Sequence, residues 1–228
     1  MDANFIIQGK DIKRGFPVGG DTFWALKGLN LTVAKGRLTI LQGRSGSGKT
    51  TLMNILGALD YPSGGDVFFN GLSLAGASEG KRDKIRRTQM GFVFQSVALV
   101  SMMTAYENVE FILRISGYPP KERRKRVETC LDRVGLAGRM HHLPPELSGG
   151  EQQRVAIARA IAHKPMVIFA DEPTAELDTN TGLQVVKIFK DLIEQEGATI
   201  VMTTHDPGLI EVADKVYELA DGEIINES

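Results

Sequence analysis

Residues 37–52 read R-L-T-I-L-Q-G-R-S-G-S-G-K-T-T-L. A short apolar run, Leu38 to Leu41, enters a glycine-rich loop, and that loop opens directly into K-T-T-L-M-N-I-L. Strand, glycine loop and helix form the context in which G-x-x-x-x-G-K-T cradles a polyphosphate. Glycines let successive backbone N–H groups turn inward, and the helix start adds its partial positive charge. Lys49 then belongs against the β- and γ-phosphates, and the Thr50 hydroxyl against Mg²⁺. A merely flexible Gly/Ser loop needs neither flank.

Two further runs, Met166 to Ala170 and Thr199 to Met202, share this short, apolar character. They are separated by helical stretches, which predicts a parallel sheet covered on both faces. Asn70-Gly71 and Asp221-Gly222 sit between strand-like segments and read as hairpin turns. The N-terminal segments F-I-I-Q and L-N-L-T-V predict an antiparallel layer. From Gln95 to Arg154 the pattern becomes helical, with breaks at Pro119-Pro120 and Pro144-Pro145. The expected organisation is an α/β P-loop NTPase core built from residues 1–94 and 155–228, with an antiparallel β layer and an inserted helical subdomain at 95–154.

The bulk properties agree with a globular chain. Of 228 residues, 42% are hydrophobic and 24% charged, and the net charge of −1 offers no electrostatic reason to expect nucleic acid. The single cysteine excludes an internal disulfide framework. No apolar stretch approaches the ~20 residues that span a bilayer, and the N-terminus lacks a signal peptide's basic start and apolar stretch. A cytoplasmic location is expected. The basic run K-E-R-R-K-R at 121–126 leads into V-E-T-C-L-D-R-V and reads as a solvated helix start. His141-His142 reads as surface.

The run M-V-I-F-A-D-E-P puts Asp171 and Glu172 at the end of a buried strand. Alternation should turn the two carboxylates in different directions. Asp171 can then hold a water on Mg²⁺ while Glu172 reaches the water that attacks the γ-phosphate. His205 ends T-I-V-M-T-T-H and should emerge on the same sheet edge, within reach of the γ-phosphate. Gln95, in G-F-V-F-Q, carries no meaning by itself. L-S-G-G-E-Q-Q at 147–153 raises a different question. Ser148 and Glu151 make a capping box, yet Gly149 and Gly150 each cost roughly 1 kcal/mol in a helix relative to alanine. Glycine at such a cost signals a close approach.

Taken in order, G-R-S-G-S-G-K-T, Gln95, L-S-G-G-E-Q, V-I-F-A-D-E-P, Leu177-Asp178 and His205 resemble the ATP-binding subunit of ABC transporters, over essentially the whole chain. The resemblance implies the ABC type of core and two copies packed head to tail, with the 148–150 turn of one capping the ATP of the other. It implies that Gly43, Arg44, Ser45, Gly46, Ser47, Gly48, Lys49, Thr50 and Thr51 bind phosphates. Thr50, Gln95 and Asp171 would surround Mg²⁺, Glu172 would activate or position water, and His205 would contact the γ-phosphate. Ser148, Gly149, Gly150 and Gln152 would act across the dimer, and Asp178 would link the two sites. The adenine-stacking aromatic falls at Phe16, with Phe23 and Trp24 as core residues or rivals. The segment T-A-E-L-D departs from the pattern at Glu176, where the family carries a small or amide residue.

Within the family, L-D-Y-P-S-G-G-D-V, G-F-V-F-Q, E-N-V and L-S-G-G-E-Q-Q-R-V-A-I-A-R-A look most like the bacterial lipoprotein-releasing, macrolide-exporting and cell-division ATPases. That implies a separate membrane permease as partner and a place on the cytoplasmic face of the membrane. The Met-rich stretch after Gln95 suggests a docking surface at Leu99, Val100, Met102 and Met103. The rival reading is a soluble ABC-type ATPase acting on nucleic acid or ribosomes. Such proteins usually carry a coiled-coil insertion or a second nucleotide domain, and neither pattern occurs here. No N-K-x-D guanine-reading motif is present, which disfavours a GTPase.

Overall fold

A computed structural model describes residues 4–228. Ten strands and seven helices follow in the order β1 (Phe5–Val18), β2 (Asp21–Ala34), β3 (Leu38–Gln42), α1 (Lys49–Leu56), β4 (Gly64–Phe69), β5 (Leu72–Ser73), α2 (Glu79–Gln89), β6 (Met90–Val93), α3 (Ala105–Ile115), α4 (Pro120–Arg133), α5 (Gly149–Ile161), β7 (Val167–Asp171), α6 (Thr179–Glu196), β8 (Ile200–Thr203), α7 (Pro207–Ile210), β9 (Lys215–Ala220) and β10 (Glu223–Glu227). Six strands form one sheet in the order β10-β9-β3-β8-β7-β6, parallel except for β10. The other four form an antiparallel sheet, β2-β1-β4-β5.

Alternation along the parallel strands explains why they are apolar throughout. Leu38, Ile40, Ile168, Ala170, Ile200 and Met202 face a core shared with α3, α4, α5 and α6. Their neighbours Leu41, Val167, Phe169 and Val201 face the opposite core, against α1 and the antiparallel layer. A strand buried on both sides has no polar face. Both hairpin turns hold two consecutive residues at positive φ, Asn70-Gly71 at 45° and 82° and Asp221-Gly222 at 49° and 81°. This matches the twist of paired strands.

The helices between β6 and β7 carry the expected insertion. Pro120 occupies the first turn of α4, where its missing N–H costs nothing. Arg124 pairs with Glu128 one turn on, and Arg126 donates to the carbonyls of Ile161 and Ala162, closing the C-terminal end of α5. Helix α5 runs through residue 154 to Ile161 in a single apolar layer.

Candidate nucleotide site

Parallel register brings the strand ends flush. Leu41 and Asp171 both stand opposite Thr203, and Val93 stands opposite Ala170. The segments that leave β3, β6, β7 and β8 therefore emerge along one edge, where α/β sheets bind ligands. A cavity of about 420 Å³ opens there, lined by Phe16, Phe23, Ala25, Ser45, Gly46, Gly48, Lys49, Thr50, Thr51, Gln95, Asp171, Glu172 and His205.

The loop before α1 is built from glycine by packing as well as by torsion. Gly43 has φ 149° and a Cβ there would stand 2.2 Å from the Leu219 carbonyl oxygen. Gly48 has φ 103°, and its Cβ would stand 2.7 Å from the Ala25 oxygen. Lys49 Nζ donates to the carbonyls of Gly43 at 2.6 Å and Arg44 at 3.1 Å, closing the loop on itself. The β9–β10 turn supports it from behind, since Gly222 N donates to Ser47 O at 3.2 Å. Gly48 gives α1 no side-chain cap, and among the described residues no side chain accepts from its first amides. Gly43, Arg44 and Ser47 shape the loop without lining the cavity, and Ser47 is buried.

Asp171 and Glu172 reach the same cavity by a route other than strand alternation. β7 ends at Asp171, and Glu172 takes a left-handed backbone with φ 44°. A non-glycine residue held there is strained, and such strain clusters at functional sites. Thr203 enforces the arrangement. Its buried hydroxyl donates to Asp171 Oδ1 at 2.5 Å and accepts from Glu172 N at 2.9 Å, while its carbonyl accepts from the same amide at 3.0 Å. The other oxygen of Asp171 accepts from Thr50 Oγ1 at 3.3 Å. His205 Nε2 lies 3.3 Å from Glu172 Oε1. Thr203, the last residue of β8, was not singled out from sequence; the Thr203-Thr204 pair directly before His205 was its one signal.

The structure separates the remaining predicted residues from this cavity. Ser148, Gly149, Gly150, Gln152 and Asp178 are absent from its lining. Ser148 caps α5, accepting from Glu151 N at 3.2 Å while Glu151 Oε2 accepts from Ser148 N at 2.8 Å. That backbone hydrogen bond holds the Glu151 carboxyl below its ordinary value. Gln152 donates to the carbonyls of Pro144 and Leu147, bracing the preceding turn. Asp178 caps α6 through Asn180 N and Thr181 N and accepts from the Thr181 hydroxyl at 2.6 Å; that last bond is the main cause of its lowered pKa. The two glycines of the turn then separate in meaning. Gly150 is buried, and a Cβ on it would meet Thr181 Cγ2 at 1.9 Å, so its close neighbour belongs to its own chain. Gly149 is exposed, and a Cβ there would meet nothing within 4 Å.

Of the aromatic candidates, Phe16 and Phe23 line the cavity as cross-strand partners. Trp24 does not; its ring lies 3.3 Å from where a Cβ on Gly15 would stand. Glu176 is exposed. In the Met-rich stretch, Met102 and Val100 are exposed, whereas Leu99 packs on the helical core.

A phosphate loop, paired acids on the next strand but one, and an L-S-G-G-E-Q helix outside the cavity define an ABC-type ATPase. The ABC transporter family matches residues 26–175, and the chain belongs to that family. It is an ATP-binding, ATP-hydrolysing cassette. Among its relatives, the macrolide export ATP-binding/permease protein MacB of Bartonella henselae is 45% identical over 99% of this chain and 34% of its own length. The ABC transporter ATP-binding protein MJ1508 of Methanocaldococcus jannaschii is 44% identical over 96% of this chain and 98% of its own. The chain therefore spans about a third of the MacB proteins it matches. A solved structure of the MJ0796 cassette from the same archaeon superposes with a TM-score of 0.90 at 39% identity over 97% of both chains. It is described as a dimeric post-hydrolysis state bound to ADP and Pi. These relatives favour the transporter reading over the soluble one.

Proposed function

We propose that two copies of the chain pair head to tail, each closing the other's nucleotide cavity with its Ser148–Gly150 turn. Hydrolysis would then drive a membrane permease of the macrolide-export and lipoprotein-release type. One observation carries the reading. The cavity gathers Ser45, Lys49, Thr50, Gln95, Asp171, Glu172 and His205 in one chain, while the exposed 148–149 turn that belongs with them lies elsewhere on the surface.

In this reading the loop amides and Lys49 hold the phosphates, and Phe16 stacks on adenine. Glu172 accepts a proton from the attacking water or aligns it. His205 steadies the Glu172 carboxylate and lies within reach of the γ-phosphate. The donor set fits Mg²⁺. Thr50 Oγ1 and Asp171 Oδ2 lie 3.3 Å apart in the cavity that Gln95 also lines, and no group of three or more His, Cys, Asp or Glu among the described residues is placed to hold a metal. Mg²⁺ takes one or two carboxylates plus substrate phosphates in preference to a protein cage. When bound it supplies charge neutralisation at the phosphates.

The permease has a candidate seat. A groove of about 360 Å³ is lined chiefly by apolar side chains, among them Leu59, Phe92, Phe94, Phe111 and Ile112, and also by Arg86 and Arg159. Exposed apolar surface of this kind suits a partner's amphipathic helix. No helix among the described residues is long and apolar enough to cross a membrane, so attachment through the permease would place the chain peripherally on the cytoplasmic face. Glu172→Gln is expected to slow steady-state ATP hydrolysis roughly 10²–10⁴-fold with ADP affinity within twofold of the parent. Undiminished hydrolysis would overturn the role given to Glu172.

A further inference from the structure

The ring proposed to stack on the base has a cation behind it. Arg14 stands two residues before Phe16 on β1, across a register irregularity between Arg14 and Gly15, and its guanidinium carbon lies 4.7 Å from the ring centroid. Phe16 lines the cavity and Arg14 does not. Asp60 holds the guanidinium in place. Arg14 NH2 donates to Asp60 Oδ1 at 3.0 Å, and Nε forms an ion pair with Oδ2 at 2.9 Å.

Asp60 is itself fixed. Its Oδ1 also accepts from Tyr61 N at 2.7 Å, and its carbonyl accepts from Arg82 NH2 at 2.7 Å. Arg82 is wholly buried, donates to the carbonyls of Ala58 and Leu74, and stacks 3.7 Å over Tyr61. This bracing answers a local weakness. β1 pairs with β4 only as far as Lys13, so residues 14–18 form a two-stranded ribbon with β2. An isolated ribbon is marginal by itself. Phe23 shares the cavity wall but has no such backing.

We infer that Arg14 is a positioning residue for nucleobase recognition: anchored by Asp60, it holds the Phe16 ring as a preformed stacking platform. The inference rests on the reading of Phe16 as the base-stacking residue. A guanidinium over one face of an aromatic ring is attractive, and preorganisation removes part of the ordering cost of binding. Ion pairing with Asp60 also keeps the cation off the phosphates.

The test compares a ligand with a base to one without. ADP affinity is measured by calorimetry, and inorganic pyrophosphate affinity by displacement of ADP, for the parent chain, Arg14→Ala, Arg14→Lys and Phe16→Ala. Arg14→Ala should weaken ADP roughly three- to tenfold and leave pyrophosphate unchanged, with Arg14→Lys in between. An unchanged ADP-to-pyrophosphate ratio in Arg14→Ala overturns the inference, whether both affinities hold or both fall together. If Phe16→Ala alone lowers the ratio, the base-stacking reading stands without Arg14. If Phe16→Ala leaves the ratio unchanged, that reading fails and the inference with it.

Discussion

Two helices of this chain begin next to glycines, α1 just after Gly48 and α5 at Gly149, and they begin differently. Helix α1 follows Gly48, a left-handed residue with no side chain to cap it, and its first residues Lys49, Thr50 and Thr51 line the cavity. Helix α5 follows Ser148, whose hydroxyl and whose partner Glu151 complete a capping box. The first terminus is open to a phosphate within its own chain. The second is already satisfied locally, yet keeps an exposed Gly149 for which nothing in the chain accounts. An uncapped N-terminus can hold an anion, and an exposed glycine with no packing reason leaves room for a close approach, as the proposed function requires.

The sharpest break of this comparison is a pair of alanines. Gly48→Ala forces a Cβ against the Ala25 carbonyl at positive φ and should weaken ADP binding by roughly 100-fold or more, on top of about 1–3 kcal/mol of strain. Gly149→Ala should leave single-chain ADP binding and folding intact, with up to ~1 kcal/mol gained in helix propensity, while steady-state ATPase falls. Equal loss of ADP affinity in both variants would erase the distinction. Next in size, Gly150→Ala should cost about 1–3 kcal/mol in chemical denaturation through overpacking, and adding Thr181→Ser should recover most of it. Independent, additive costs would show that Thr181 is not the constraint.

The smallest effect concerns the cap. Ser148→Ala should cost about 1 kcal/mol. The Glu151 carboxyl is lowered in the folded chain, so its contribution is present above the ordinary glutamate value and is lost as pH falls through the lowered one. Stability measured down through the carboxylate range should decline in the parent and decline less in Glu151→Gln, which removes the titrating carboxyl, whereas Ser148→Ala keeps the backbone N–H that lowers it. Identical slopes would remove the cap from the account.

What was legible in the sequence was local. The phosphate loop, the doubly buried strands and the two Asx-Gly turns each depend on residues adjacent in the chain, so residue type and spacing carry them. What was illegible depends on register or distant packing. Thr203 matters because β8 lies flush with β7, which no property of the T-T pair announces. Gly150 answers to Thr181 on another helix, and Arg14 answers to Asp60 across 46 positions. Gly150 therefore has a packing reason within its own chain, besides the approach from outside expected of both glycines. The groove proposed to seat a permease draws Leu59, Phe94 and Phe111 from separate segments, and none of Leu99, Val100, Met102 and Met103, the residues expected from composition, lines it.

The central claim is that one copy holds half of each working site. Light scattering of the Glu172→Gln chain, with and without Mg-ATP, tests it most directly. The account predicts a species of twice the chain mass only with Mg-ATP, and its disappearance when Gly149→Asp is added while nucleotide still binds. A Glu172→Gln chain that binds Mg-ATP yet stays monomeric, or a Gly149→Asp chain that still pairs, would contradict it.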